Sequence, residues 1–200
     1  PRYSSSAASD VYKRQSQEGG PNGFVNAMGP FNGQPESMQT TRARLDDIGG
    51  PDTHSNFPWG WAMASNTPLK RYKQNTHGGG IRDPLIVSWP AKLPTDGSVR
   101  SQFCHVSDLA PTILELLGVE SHHRPGIGTP GCSFAASLHD AYAATAKDVQ
   151  YFEMFGHRGL VHDGWKAVAY HEPGTAFEDD EWELYHLSLI HISEPTRLSV

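Results

Sequence analysis

The spacing of the hydrophobic positions changes along this 200-residue chain. Residues 16–50 are polar and rich in glycine and proline, which predicts loops with one short helix inside 35–45. A short apolar run at 85–87, with a proline close on either side, predicts a fully buried strand of the parallel kind. The apolar residues of 113–117 recur at helical spacing and predict an amphipathic helix. The chain therefore begins as a mixture of loops, helices and buried strands.

The ends of the predicted amphipathic helix carry clear signals. Asp108 is placed to act as its N-cap, and Pro111 still falls in the first turn, where a missing N–H costs little. Gly118 follows the last apolar residue and favours the left-handed conformation that ends helices. We expect a core helix packed on a sheet, followed by a further short helical turn at 134–138.

After about residue 148 the pattern has a period of two. Residues 151–155 alternate, and Asp163-Gly164 separates two β-prone runs, which is a strong hairpin signal. An acidic segment at 177–181 is predicted to be a solvated loop, and a last strand is predicted at 182–187. The whole pattern favours an α/β fold with a small antiparallel β subdomain.

Composition removes several classes of function. The 16 basic residues against 22 acidic ones give a net charge of −6, which does not suit nucleic acid or an anionic membrane. No apolar run approaches the roughly 20 residues of a membrane span. The two cysteines, Cys104 and Cys132, are compatible with a disulfide or with two thiols. Asp46-Asp47 has the chemistry of a metal pair, but a solvated turn is the favoured interpretation.

The candidate chemistry lies in residues 66–90. Lys70, Arg71 and Lys73 form a basic segment, and three glycines follow at 78–80, where the backbone can approach another group closely. A cationic loop with glycines is a common way to present a lysine to an anion.

These residues resemble a known family. The sequence Lys73-Gln-Asn-Thr-His77, the glycines after it, and the run that ends in Trp89-Pro90 are similar to the second signature region of the type I sulfatases, the arylsulfatase group. The resemblance extends over roughly residues 16–187 and is carried in the family's order by the segments 18–23, 60–68, 106–114, 156–159, 163–166 and 182–185.

The resemblance implies a fold and a division of the chain. Residues 16–148 would be the C-terminal part of an alkaline-phosphatase-like sulfatase α/β domain, and residues 149–187 the antiparallel subdomain. The segments 1–15 and 188–200 instead resemble translated sequencing-adaptor sequence, as in genes assembled from short metagenomic reads. We expect both to be non-native tails without stabilising contacts.

The resemblance also implies a chemistry that this chain contains only in part. In the family a cysteine of a Cys-x-Pro-x-Arg motif becomes formylglycine, and calcium held by carboxylates and an amide polarises the sulfate. Neither Cys104 nor Cys132 lies in such a motif. The nucleophile and the calcium ligands are therefore expected upstream of this chain, and the chain alone is expected to be inactive.

Five residues are the candidate site residues. Lys73 matches the lysine that contacts the sulfate and the leaving-group oxygen in the family, with Lys70 as the competing candidate. His77 is expected to support the site from behind. Trp59 and Trp61 would line a pocket for an aromatic or sugar substrate, or would cover the edge of a sheet. Gly78 departs from the family, in which many relatives carry Glu.

The favoured function is hydrolysis of a small-molecule or carbohydrate sulfate ester. Two alternatives stay open: a phosphonate or phosphate ester hydrolase of the same superfamily, and a non-catalytic module that binds a sugar or sulfate. A cysteine at the nucleophile position would favour a sulfatase, whereas serine or threonine would favour a phosphatase.

Overall fold

The computed structural model of the chain describes residues 20–29, 32–56, 58–119 and 131–187, and the backbone of 196–198. The described residues divide into two units. The first unit draws on Pro1–Pro84, Phe152–Gly159 and Ala167–Val200, and the second on Leu85–Tyr151 and Leu160–Lys166. No helix among the described residues is long and apolar enough to cross a membrane.

The helices are short. They are α1 (Met38–Ala43), α2 (Trp59–Ser65), α3 (Gly78–Ile81), α4 (Leu109–Leu117) and α5 (Ala135–His139), with 3-10 turns at Leu45–Asp47, Val106–Asp108 and Phe177–Asp179. The predictions of a helix inside 35–45 and of a helical turn at 134–138 are confirmed. Ser37 caps α1 by accepting a hydrogen bond from the Thr40 amide. Asp46 and Asp47 are exposed, and Asp47 pairs with Arg44.

The strands form one sheet in the order β1 (Val149–Met154), β2 (His157–His162), β3 (Trp165–Ala169), β4 (Trp182–His186) and β5 (Thr196–Leu198). The predicted Asp163-Gly164 turn is confirmed, because both residues have positive φ, 45° and 76°, as a type I′ turn requires. Phe155 and Gly156 make a second turn of this kind between β1 and β2. The predicted last strand is also confirmed as β4.

Part of the segment 188–200 is paired. The backbone of β5 runs antiparallel to β4, with Trp182 opposite Leu198 and Leu184 opposite Thr196. For these three residues, the pairing is at odds with the expectation that 188–200 makes no stabilising contacts. Residues 1–15 and the rest of 188–200 lie outside the described residues.

Helix α4 begins and ends where predicted, but its cap differs from the prediction. Gly118 has φ 68° and closes the helix in the left-handed conformation. Asp108 precedes the helix without capping it; its carboxylate accepts the amides of His105 at 2.7 Å and Cys132 at 2.9 Å. Lys147 Nζ lies 2.6 Å from Asp108 Oδ1. Burial alone would raise the pKa of Asp108, but these contacts outweigh it and lower that pKa.

Two predictions about apolar residues of the second unit are wrong. Leu85, Ile86 and Val87 form no strand, and all three are exposed. Ile113 and Leu117 of the expected core helix α4 are more than half exposed. Buried apolar residues among those described are few and mostly small: Val25, Ala27, Ala62, Val168 and Ala169 in the first unit, and Leu93, Phe134, Ala135 and Val161 in the second. An apolar pattern alone does not supply the neighbours that burial requires.

Candidate functional site

The lysine loop, defined as residues 66–80, lies in the first unit and is closed by its own hydrogen bonds. Asn66, which caps the C-terminus of α2, donates from Nδ2 to the carbonyl oxygens of Arg71 at 3.0 Å and Gly79 at 3.1 Å. The Gly79 amide donates to the Lys70 carbonyl at 2.8 Å. One asparagine thus fixes both sides of the loop, which holds Lys70 and Lys73 on a defined backbone.

Lys73 is bracketed by strained backbone. Arg71 has φ 67° and Gln74 has φ 72°, which places two non-glycine residues in the left-handed region. Each such residue costs about 1 kcal/mol or more and persists only where its surroundings impose it. The hydrogen bond from Asn66 to the Arg71 carbonyl is one such constraint. The backbone on either side of Lys73 is therefore held in a costly conformation.

Glycine at positions 79 and 80 is required by close approach. A Cβ on Gly79 would lie 1.9 Å from the Arg71 carbonyl oxygen, and one on Gly80 would lie 2.0 Å from the Asn75 carbonyl oxygen. Both contacts are far inside van der Waals distance and both involve backbone, which cannot yield as a side chain can. The glycine run therefore lets the loop fold back on itself.

The turn between Lys73 and α3 is buried although it is polar. Thr76 and His77 are each 1% exposed. The Thr76 hydroxyl donates to the Arg158 carbonyl of β2 at 2.9 Å, and a Cβ on the next residue, Gly159, would lie only 3.1 Å from Thr76 Cβ. The loop is thereby packed against strand β2.

Strand β4 supplies the carboxylate of this site. Glu183 Oε1 lies 2.6 Å from Lys70 Nζ and 3.5 Å from His77 Nε2, and its Oε2 accepts a short hydrogen bond from the Tyr185 hydroxyl. Burial alone would raise the pKa of Glu183. The hydrogen bonds from Lys70 and Tyr185, with the charge of His77, instead bring the pKa of Glu183 down to about 2. Glu183 is thus ionised and shared by two residues of the lysine loop.

The structure brings two of the predicted site residues together and separates two others. Lys70 and His77 meet at Glu183. Trp59 and Trp61 are both exposed on α2, and at two residues apart they point to different sides of the helix. They do not form one wall of a pocket. Lys73 is half-buried on the lysine loop.

A stack of rings joins Arg71 to the antiparallel sheet. The Arg71 guanidinium lies 4.0 Å from the Tyr170 ring centroid, and Tyr170 stacks on His157 with centroids 4.4 Å apart. His157 Nδ1 accepts the His171 amide at 3.1 Å. Burial lowers the pKa of His157, and the charge of Arg71 lowers it further. The uncharged form of His157 is therefore favoured beside a cation.

Asp180 corrects the prediction that the acidic segment 177–181 is solvated. Its side chain is 3% exposed, and it accepts from Arg158 Nη2 at 2.7 Å and pairs with His171 Nδ1 at 3.1 Å. Burial alone would raise the pKa of Asp180, but these two hydrogen bonds lower it. The neighbouring acidic residues 178 and 179 are exposed, as predicted.

The partners that β4 and the sheet provide do not follow from the sequence. Glu183 and Tyr185 lie within the segment 182–185 that carries the resemblance, and at two residues apart they share one face of a strand. That spacing marks a polar face, but no sequence pattern connects it to Lys70, 113 residues away.

The described residues do not provide a calcium site or a modified cysteine. Among them, no group of three or more His, Cys, Asp or Glu side chains is placed to hold a metal ion. Cys104 and Cys132 are free thiols, both exposed. Although Cys104 as a residue is exposed, partial shielding of its sulfur from water raises its pKa, and the charge of the nearby Asp108 raises it further, which disfavours the thiolate. These residues therefore supply neither the group of ligands that calcium requires nor the cysteine motif that formylglycine requires.

Comparison with known proteins identifies the relatives of this chain. The Sulfatase family model matches residues 35–119, which include the whole lysine loop. An uncharacterized sulfatase of Schizosaccharomyces pombe is 30% identical over 156 residues, which cover 72% of this chain and 26% of that protein. An N-acetylgalactosamine-6-sulfatase of Sus scrofa is 45% identical over 56 residues, 28% of this chain and 10% of the relative.

An arylsulfatase of Klebsiella aerogenes is also similar, at 25% identity over 111 residues, which cover 53% of this chain and 24% of that protein. The chain thus spans about a quarter of the length of several curated relatives that it matches.

Proposed function

Because the chain belongs to the sulfatase family, we propose that it forms part of an enzyme that hydrolyses sulfate monoesters, with Lys73 at the sulfate group. The observation that carries the role of Lys73 is the strained backbone on either side of it, at Arg71 and Gln74. Strain of this kind is concentrated at functional sites, where it fixes the direction of a side chain.

The proposed contribution of Lys73 is electrostatic. As the S–O bond of a sulfate ester breaks, negative charge grows on the leaving-group oxygen. An ammonium group held near that oxygen stabilises the transition state more than the substrate, by about 3 kcal/mol where water is excluded. Lys70, the competing candidate, has its charge compensated by Glu183 at 2.6 Å.

The proposal assigns the formylglycine nucleophile and the calcium ligands to the part of the relatives that this chain does not span. The exposed apolar residues at 85–87 support this assignment, since a strand of an α/β domain would cover them. On its own, the chain is then expected to hydrolyse no sulfate ester. Turnover of an aryl sulfate by the purified chain would contradict that expectation.

The test of the proposed function supplies the remaining part of the domain. Residues 16–187 are grafted onto the matching N-terminal part of a related sulfatase, and Lys73→Ala is compared with Lys70→Ala. Lys73→Ala should lower kcat by about 100-fold or more with a smaller effect on KM, because the interaction grows along the reaction coordinate. Lys70→Ala should cost less than about tenfold. The reverse ranking would assign the role to Lys70, and two small effects would leave the resemblance as evidence of fold alone.

The substrate proposed for this site is a small-molecule or carbohydrate sulfate ester. Trp61, which is 67% exposed on α2, offers an apolar face on which a sugar or aromatic ring can stack. In the grafted enzyme, Trp61→Ala should raise KM for such an ester and leave kcat nearly unchanged. Trp59→Ala is the matched comparison, because Trp59 points to a different side of the same helix. Unchanged KM in both variants would remove the tryptophans from the site.

A further inference from the structure

We propose that Glu183 is a positioning residue for the lysine loop: it holds His77 and compensates the charge of Lys70, and so weakens the attraction of an anion to Lys70. The inference rests on the proposed function for its meaning in catalysis. The contacts that carry it belong to the first unit and stand by themselves.

The geometry fixes the Glu183 carboxylate from both of its oxygens. Oε1 faces Lys70 Nζ at 2.6 Å and His77 Nε2 at 3.5 Å, while Oε2 is engaged by the Tyr185 hydroxyl. The Glu183 side chain is 17% exposed and the His77 side chain 1% exposed. A carboxylate with both oxygens occupied cannot rotate away from Lys70 without losing a second hydrogen bond.

The consequence concerns the charge that the lysine loop presents at Lys70. Lys70 carries its charge next to an ionised carboxylate, so an approaching sulfate meets a nearly neutral pair at that position. Removing the negative charge of Glu183 would leave the ammonium of Lys70, whose side chain is 44% exposed, without compensation and accessible to an anion. Strand β4 thereby determines how strongly Lys70 attracts an anion.

The test uses the full chain and inorganic sulfate as the probe. Binding is followed at low ionic strength by NMR shifts of the backbone amides in the lysine loop. Glu183→Gln should strengthen sulfate binding about fivefold, because one additional cation becomes available to the anion. Glu178→Gln is the matched control, since it removes the same charge from an exposed position. Adding Lys70→Met to Glu183→Gln should return the affinity to that of the unchanged chain.

A second variant covers the case in which Glu183→Gln does not fold. In the otherwise unchanged chain, Lys70→Met should leave sulfate affinity within about twofold, because the charge it removes is already compensated. Weakening by more than about fivefold in Lys70→Met, or no difference between Glu183→Gln and Glu178→Gln, would overturn the proposal.

A readout independent of sulfate separates this inference from the proposed function. Burial and the hydrogen bond to Glu183 raise the pKa of Tyr185, and the charge of Glu183 raises it further. In Glu183→Gln the Tyr185 pKa, followed by ¹³Cζ NMR, should fall toward the ordinary value, while Glu178→Gln should leave it unchanged. An unchanged Tyr185 pKa would overturn the placement of Glu183. If the pKa falls but Lys73→Met leaves sulfate binding unchanged, the placement stands and the assigned role of Lys73 fails.

Discussion

The lysine loop and the apolar segment at 85–87 show the opposite of the burial that their composition predicts. Asn75, Thr76 and His77 of the polar loop are at most 6% exposed, whereas Ile86 of the apolar segment is 82% exposed. The two segments are only a few residues apart in the sequence. Burial in this protein therefore follows the supply of partners more closely than it follows hydrophobicity.

The physical reason lies in where each segment obtains its contacts. The loop obtains hydrogen bonds from its own Asn66 and from residues of β2 and β4, all within the first unit. A buried strand instead needs hydrogen bonds from neighbouring strands along its whole length and apolar cover on both faces. The structure assigns no strand to residues 85–87, and all three side chains are exposed.

The largest expected effect comes from Gly79→Ala. The new Cβ would lie 1.9 Å from the Arg71 carbonyl oxygen, so the loop must open. We expect a loss of about 3 kcal/mol or more in unfolding free energy, measured by denaturant titration. Gly60→Ala in α2 is the control, because its Cβ would meet no atom within 4 Å. A stable Gly79→Ala protein would show that the loop is not closed in this way.

Acid should remove the stabilisation that ionised Glu183 gives to the lysine loop, whereas Leu85, Ile86 and Val87 have no group that titrates. The folded pKa of Glu183 is about 2, below its ordinary 4.5. The folded state therefore binds its proton less readily than the unfolded state does, and this stabilisation is complete above pH 4.5 and lost as pH falls toward 2. We expect the contribution to be about 2 kcal/mol, allowing for the partial exposure of Lys70.

The measurement for this pH effect is a difference between two proteins. Stability against pH is recorded for the unchanged chain and for Glu183→Gln, so that the effects of the other described carboxylates with lowered pKa, Asp96, Asp108 and Asp180, cancel. The two curves should converge between pH 4.5 and 2. Parallel curves over this range would mean that Glu183 is not held in its ionised form by the fold.

Thr76→Val should have a smaller effect. The substitution keeps the shape of the side chain but removes the hydroxyl that donates to the Arg158 carbonyl. We expect a loss of about 1 kcal/mol, measured by thermal or denaturant unfolding. Thr175→Val provides the comparison, since Thr175 makes the same kind of bond to the Glu172 carbonyl at an exposed position and should cost less. Equal losses in the two variants would mean that burial does not increase the free energy that the Thr76 hydrogen bond contributes to stability.

Ile86→Thr should have the smallest effect. A side chain that is 82% exposed loses little by becoming polar, so the unfolding free energy should change by less than about 0.5 kcal/mol. Val168→Thr, at a fully buried position, should cost clearly more. In the grafted enzyme, where a neighbouring strand is expected to cover residue 86, Ile86→Thr should become costly. A large cost in the chain alone would show that the segment is already packed.

Local signals in the sequence determined the elements that depend on neighbouring residues. The Asp163-Gly164 hairpin, the end of α4 at Gly118 and the strand that begins at Trp182 were all predicted, because turn chemistry and alternation act over a few residues. The resemblance to sulfatases at residues 66–90 likewise placed Lys70, Lys73 and His77 on one loop before any contact was known.

Only the tertiary structure decided what surrounds those elements. It brought Glu183 to Lys70 and His77, carried Asp180 out of solvent to Arg158 and His171, and left residues 85–87 exposed. Pairing between residues more than 100 positions apart has no signature in a single sequence, since it depends on which strands and loops meet in space. The sequence by itself therefore determined which residues can carry the chemistry, whereas the tertiary contacts decided which of their charges are compensated, because the energy of a charge depends on its nearest partners and its access to water.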